Sequence, residues 1–414
     1  MRLLFLCHNH PGLQAGGTEV LARSLFRELR DRHGVEGAFL AAVTGAHRER
    51  RPGTMLQGIN DQPDEMLVWL GHFDRFFLAQ PDTYGLASLA PVIAELAPDV
   101  VHLHHPLMFG LETVDLIRRA APRARLIFTA HDYFPLCPQE GQLLTTAGRL
   151  CQGPSLDACQ ACFPGRPGAD FVMRALQMRD VFRDFDRILT PSAFARDRYV
   201  AAGWPAERFT VMPNGLLPAE PAPHRIAPDG RRDRFGFFGH LNRFKGGLVA
   251  LEASRQLQAA GIAHRLTLHG GAAYQSDSFM ETLRADLAAT PAATWPGPYG
   301  AAELPGLMAQ VDWVVVPSIW WENAPLVIQE AFLHRRPVIC GGIGGMAEMV
   351  RDGVDGLHAP VNDPAGLAQV MRRAMTTEGL WDHLVAHIAP PPTIAEVAER
   401  HLELYQDAMG LITA

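Results

Sequence analysis

The chain has 414 residues, 48% of them apolar and 20% charged, and carries a net charge of −7. That length suits two globular domains of about 200 residues better than one core. The acidic balance argues against general nucleic-acid binding, and no apolar run reaches the roughly 18 residues that a membrane-crossing helix needs.

The N-terminal stretch MRLLFLCHNHPG is too short in its apolar part for a signal peptide and reads as a first β-strand, so a cytoplasmic location is expected. Gly16 and Gly17 then precede a helix with Val20, Leu21, Leu25 and Leu29 at helical spacing. FLAAV is a second strand. It is followed by an arginine-rich arm, HRERRPG, and irregular sequence to about Tyr84. DVVHLHH, RLIFTAHD, RILTPS and FTVMPNG read as further strands, with helices between them at MFGLETVDLIRRAA and PSAFARDRYVAAG. Strands alternating with helices predict a parallel, doubly wound sheet over residues 1–216.

A proline-rich, charged segment at 217–234 reads as a linker. The second half, 235–392, repeats the plan: strand FGFFG, loop HLNRFKGG, helix LVALEASRQLQAAG and strand RLTLHGG. Val314 to Val316 form a strand stopped by Pro317. Asn323 is expected to cap a helix from Ala324 to His334, with Pro325 in its first turn. Val338 to Cys340 form the next strand, ending in Gly341, Gly342, Gly344 and Gly345. After Pro390-Pro391-Pro392, a last helix over 393–414 is placed to cross back onto the first domain.

Glu322 stands in the loop before the Ala324–His334 segment and Glu330 two turns along it. In open α/β sheets, ligands gather outside the carboxyl ends of the strands. A loop carboxylate, a helix N-terminus and a glycine turn together suit a polyhydroxylated ligand that carries phosphate. The pattern E-N-A-P-L-V-I-Q-E, followed by RRPVICGGIGGMAEMV and DGVDGLHAPVNDP, resembles the donor half of family 4 retaining glycosyltransferases.

That resemblance implies an α/β architecture of the GT-B kind: two Rossmann-like, doubly wound parallel-sheet domains facing across a cleft. It implies a metal-independent hexosyltransferase that needs no catalytic cofactor. The donor would be a nucleotide diphosphate sugar and the acceptor a glycan, a lipid-linked glycan or a small molecule, as in polysaccharide biosynthesis. Glu330 would hold the ribose hydroxyls and Glu322 those of the donor sugar, with Asn323, Ala324 and Pro325 beside them. Lys245 matches the family lysine at the diphosphate. It is the only lysine among 37 basic side chains, so an ordinary surface lysine is the weaker reading. The family arginine position holds His240 instead, and Arg243 is the nearest guanidinium. Gly16 and Gly17 resemble the first glycine loop. His131, ending its strand, corresponds to the histidine near the reacting sugar carbon. His8, His10, His102, His104 and His105 read as wall residues at neighbouring strand ends.

Cys137, Cys151, Cys159 and Cys162 share one 26-residue window. The window has little core-forming sequence, and four thiolates in a reducing cytoplasm suit a structural zinc better than two disulfides, with a redox C-x-x-C as a third reading weakened by the two extra cysteines. The arm HRERRPG is a candidate for contact with anionic lipid at a membrane periphery, against the default of a solvated loop. Two rivals from other classes remain. One is a nicotinamide-dependent oxidoreductase, suggested by Gly342-x-Gly344-x-x-Ala347. The other is a non-catalytic binding protein on the same fold, suggested by His240 and the cysteine segment.

Overall fold

The computed structural model describes residues 1–14, 16–59, 62–227 and 229–411. The chain divides into two compact units: Met1–Leu217 with the segment from Pro392, and Pro218–Pro391. Pro228 of the linker and Ile412 to Ala414 of the last predicted helix lie outside the described residues.

The first unit is built on eight strands: β1 (Arg2–His8), β2 (Glu36–Val43), β3 (Leu56–Ile59), β4 (Gln62–Trp69), β5 (Val100–Leu103), β6 (Arg125–Thr129), β7 (Arg187–Thr190) and β8 (Phe209–Val211). Their order is β3-β4-β2-β1-β5-β6-β7-β8. All pairs are parallel except β3 with β4. Phe5 of β1 and Phe39 of β2 are fully buried, the pattern of strands covered on both faces. The Gly17–His33 helix buries Ala22, Leu25, Phe26 and Leu29, whereas Val20 faces outward at 38% exposure.

β3 and β4 replace the irregular stretch expected before Tyr84. The strand signal was masked because β4 begins Gln-Pro-Asp-Glu. Its Glu65 is fully buried, and burial would push its carboxyl up. Hydrogen bonds from His10, Arg23 and Arg27 (2.8–2.9 Å) bring it down to about 2. A buried carboxylate held by three donors is tolerated where a lone one would not be.

The last helix, Ile394–Ala408, belongs to this unit. Thr393 and Glu396 form a capping box at its start, and Ile394, Val397, Ala398 and Tyr405 enter the same core as Phe5 and Phe26. The Tyr405 hydroxyl hydrogen-bonds His102 Nδ1 at 2.6 Å, and His102 Nε2 meets Thr129 Oγ1 at 2.7 Å.

The second unit has six parallel strands: β9 (Arg234–Phe238), β10 (Arg265–His269), β11 (Ala293–Gly297), β12 (Trp313–Val316), β13 (Val338–Gly341) and β14 (Gly356–Ala359). Their order is β11-β10-β9-β12-β13-β14. The chain reverses direction across this sheet between β9 and β12, so the loops leaving those two strands open a crevice. The linker segment packs on this unit rather than hanging free. Ala222 is buried, Arg336 donates to the carbonyls of Ala222 and Pro223, and Arg225 pairs with buried Asp312 at 2.6 Å.

Candidate active site

The crevice of the second unit is assembled from three loops. After β9, Asn242 Oδ1 accepts the backbone N–H groups of Phe244 and Lys245 at 2.9 and 3.0 Å, folding the segment back on itself. Gly246 follows at φ 75°, and a Cβ there would stand 1.9 Å from the Pro317 carbonyl oxygen, so only glycine fits. The Phe244 carbonyl accepts from Ile319 N at 2.8 Å, which ties this loop to the one after β12.

The result is a contact between side chains 77 residues apart. Lys245 Nζ lies 2.7 Å from Glu322 Oε1, and the same oxygen accepts from Ser318 Oγ at 2.7 Å and Trp320 Nε1 at 2.8 Å. Burial would raise the Glu322 carboxyl. The Lys245 charge and the three hydrogen bonds overcome it, so the group stays ionised, below its usual range. Lys245 also lies 5.4 Å from the Trp320 ring centre, a cation–π distance. The third loop, after β13, closes against this one. Gly345 N donates to the Glu322 carbonyl at 2.9 Å, and a Cβ on Gly345 would stand 1.6 Å from the Asn323 oxygen. Gly345, inside the dinucleotide-like segment, is thus explained by loop packing.

The helix carrying Glu330 runs Leu326–Leu333, shorter than expected, with Pro325 in extended conformation at its cap position. Asn323 is buried, but it lies two residues before the cap position, which Pro325 occupies instead. Pro325 fixes φ near the value it needs and disfavours helix at Ala324, which moves the start downstream. Glu330 is the opposite of Glu322. It forms no side-chain hydrogen bond or ion pair among the described residues, and burial raises it to about 7. Tyr299 lies near it and is itself pushed up, mainly by burial and then by the Glu330 charge.

His240 is exposed and meets Gln275 Nε2 at 3.2 Å. Arg243 is exposed and lies 5.1 Å from the Phe244 ring, with no ion pair among the described residues.

In the first unit, the ends of β1, β5 and β6 gather imidazoles. His131 Nε2 lies 3.1 Å from His104 Nδ1, and burial lowers His131 to about 3, so its ring is neutral near pH 7. Gly16 has an extended backbone. A Cβ there would meet the Glu19 carboxylate at 2.4 Å, so this glycine makes room for a side chain of its own helix. Glu19, raised to about 6 by burial, lies 3.3 Å from His8. His105 accepts Leu107 N–H at Nδ1, so its Nε2–H donates to Asp132 at 2.9 Å. Sequence reading missed Glu19, Asp132, Ser318 and Trp320. Ser318 and Trp320 stood in the quoted stretch, but their convergence on Glu322 depends on how the loop turns.

No disulfide links any of the six cysteines in this structure. Among the described residues, no three His, Cys, Asp or Glu side chains are gathered into a metal-holding group as they stand.

Residues 15–219 match the family described as Glycosyltransferase Family 4, and residues 232–377 match Glycosyl transferases group 1. The chain belongs to the family 4 glycosyltransferases. It is 27% identical over 424 aligned positions to the D-inositol 3-phosphate glycosyltransferase of Nocardia farcinica, covering 96% of this chain and 86% of that one. It is 26% identical to the putative colanic acid biosynthesis glycosyltransferase WcaL of Salmonella typhimurium, over 46% of this chain and 48% of the other. The chain spans about half the length of the curated relatives it first matches. Among solved structures, Anabaena HepE in complex with UDP and glucose superposes with a TM-score of 0.69 at 17% identity, over 98% of this chain and 100% of that one. Sucrose-phosphate synthase from Thermosynechococcus elongatus gives 0.69 at 16% identity over the full length of both. The fold is that of the GT-B glycosyltransferases.

Proposed function

We propose that this chain is a retaining, metal-independent glycosyltransferase of the hexosyltransferase type that draws a sugar from a nucleotide diphosphate sugar. The observation that carries this is the Lys245–Glu322 contact at the crevice between β9 and β12, with Ser318 and Trp320 converging on the same carboxylate. Lys245 balances the charge that builds on the diphosphate as the sugar departs, and exposed Arg243 supplies the second positive charge. Glu322 accepts hydroxyls of the donor sugar through its remaining lone pairs. With one oxygen already taking three hydrogen bonds, it is suited to hold and orient rather than to attack as a nucleophile. Departure of diphosphate and attack of the acceptor on one face then gives retention. Glu330, with no partner in its own fold, accepts the ribose hydroxyls. By the family resemblance, His131, neutral at the end of β6, is the counterpart of the histidine that serves the reacting carbon. The acceptor is a glycan or a lipid-linked glycan. The arm at 47–53, exposed from Glu49 onward, supports peripheral contact with anionic lipid, and the protein works in the cytoplasm. No helix among the described residues is long and apolar enough to cross a membrane.

The test is Lys245→Ala. Losing one such electrostatic partner costs about 2.7–4 kcal/mol, on the order of a hundredfold or more in turnover of a nucleotide sugar found by thermal-shift screening. Lys245→Arg should cost less, because a planar fork replaces a compact ammonium. Melting curves control for the loss of the Glu322 contact. Unchanged turnover in a folded Lys245→Ala protein refutes the assignment.

A further inference from the structure

A cavity of about 350 Å³ in the first unit takes no part in the site just described. Its walls come from the loop after β6 at Pro135 and Leu136, from the Gly168–Phe182 helix, and from the turn that ends in buried Trp204. Leu156 of the short Leu156–Cys162 helix closes the remaining side. The volume is that of a small-molecule site. The apolar wall also continues outward. Leu156, Val172 and Leu176 line the cavity and are still 46%, 48% and 50% exposed, with Met173 beside them at 59%. The Gly168–Phe182 helix is thus apolar on two sides: Phe171, Met178 and Phe182 are buried, whereas Val172, Met173 and Leu176 share the face left outside. Clustered exposure of this kind marks an interaction surface, where scattered apolar residues would not.

A second, independent observation is the charge of the wall. Arg174 and Arg179 line the same cavity, and no aspartate or glutamate does. Arg174 is 3% exposed, and its guanidinium donates only to backbone carbonyls: Phe76 at 2.6 Å, Phe134 at 2.6 Å, Pro135 at 2.8 Å and Leu136 at 3.4 Å. Arg179 donates from Nε to the Ala175 carbonyl of its own helix at 3.2 Å. Neither guanidinium has an ion pair among the described residues. Carbonyls satisfy hydrogen bonds without cancelling charge, and a buried cation without a counter-charge is costly. A purely hydrocarbon ligand would add to that cost by displacing water, whereas one with an anionic head would relieve it. The cavity also adjoins the strand end that carries His131. Pro135 stands four residues beyond His131 on one loop, a reach of at most about 14 Å of extended chain.

We propose that this cavity binds a long-chain lipid phosphate, with the hydrocarbon chain against Leu156, Phe171, Leu176 and Trp204 and the phosphate on Arg179, in the field of Arg174. The ligand is the carrier end of a lipid-linked acceptor. This deepens the proposed function, and the site's role in transfer rests on that reading. Burial of the chain supplies the hydrophobic share of the affinity. The planar guanidinium of Arg179 pairs with two phosphate oxygens at once, which fixes the head of the lipid as well as attracting it.

The experiment is isothermal titration of the full chain with farnesyl phosphate below its micelle concentration, with farnesol and inorganic phosphate as the two half-ligands. Saturable binding of farnesyl phosphate is expected, with farnesol about tenfold weaker or more and inorganic phosphate weaker still. Arg179→Ala should bring farnesyl phosphate down to the affinity of farnesol. Leu176→Glu, at a half-exposed position where a carboxylate stays solvated, should weaken the phosphate and the alcohol alike. Ile226→Glu, the same kind of change at a 92% exposed position of the other unit, should alter neither. Absence of saturable binding, equal affinity for farnesol and farnesyl phosphate, or binding that survives both Arg179→Ala and Leu176→Glu overturns the proposal. So does binding to phosphatidylglycerol vesicles without binding to farnesyl phosphate, which would make this face a bilayer contact and not a ligand site. The readout is binding without turnover, so its failure leaves the transferase reading where it stands, and failure of the Lys245→Ala test leaves this site standing.

Discussion

Glu322 and Glu330 sit eight positions apart and face opposite electrostatic circumstances. Glu322 is held on one oxygen by Lys245, Ser318 and Trp320, while Glu330 is half-buried, without a side-chain partner among the described residues, and raised from 4.5 to about 7. Because the folded state holds the Glu330 proton more tightly than the unfolded chain, the two states are alike below about pH 4.5. Stability is then lost as the pH rises toward 7, and the loss is complete above it. Glu330→Gln removes that loss. Its advantage over the parent should be near zero below about pH 4 and reach at most about 3 kcal/mol at pH 8, read by urea denaturation at each pH. An advantage independent of pH would show that the carboxyl is not strained by burial. The glutamate pair and Lys245 were legible as types at a spacing. Their opposite charge states were not, because burial and loop-to-loop hydrogen bonding leave no periodic mark in a sequence.

Among the elements, those with uniform apolar strands or helical spacing were read correctly, and those built around a buried charge were not. β4 was missed because Glu65 looks like a surface residue until Arg23 and Arg27 are placed over it by the neighbouring helix. The helix start at Leu326 was missed because proline stereochemistry overrides the capping preference of Asn323. The last helix was legible, but its polar anchor was not. Tyr405 is fully buried, and its hydroxyl is the partner of His102 Nδ1. Tyr405→Phe keeps the ring and strands that nitrogen in the core, so it should cost about 1–3 kcal/mol of unfolding free energy. A cost below a few tenths of a kcal/mol would mean that water takes the place of the hydroxyl.

Across the whole molecule, the two units carry separate cores and separate strand-end crevices. On the proposed function, the donor's nucleotide binds to the second unit. A nucleoside diphosphate found to bind by thermal-shift screening, at a hundred times its dissociation constant, should stabilise that unit by about 2.7 kcal/mol. Hydrogen exchange should then slow around Phe244–Gly247, Pro317–Glu330 and Gly341–Met346. Slowing confined to the first unit would place the nucleotide elsewhere.

The crossing of the last helix has a consequence for biosynthesis. The first unit is discontinuous: its core takes Ile394, Val397, Ala398 and Tyr405 from a segment made after the whole second unit. On the ribosome, the second unit can close its sheet while the first still exposes the strip of β-sheet and the His102 imidazole that the helix will cover. The first unit, begun earliest, is thus completed last, and its unfinished face waits on the synthesis of some 170 intervening residues.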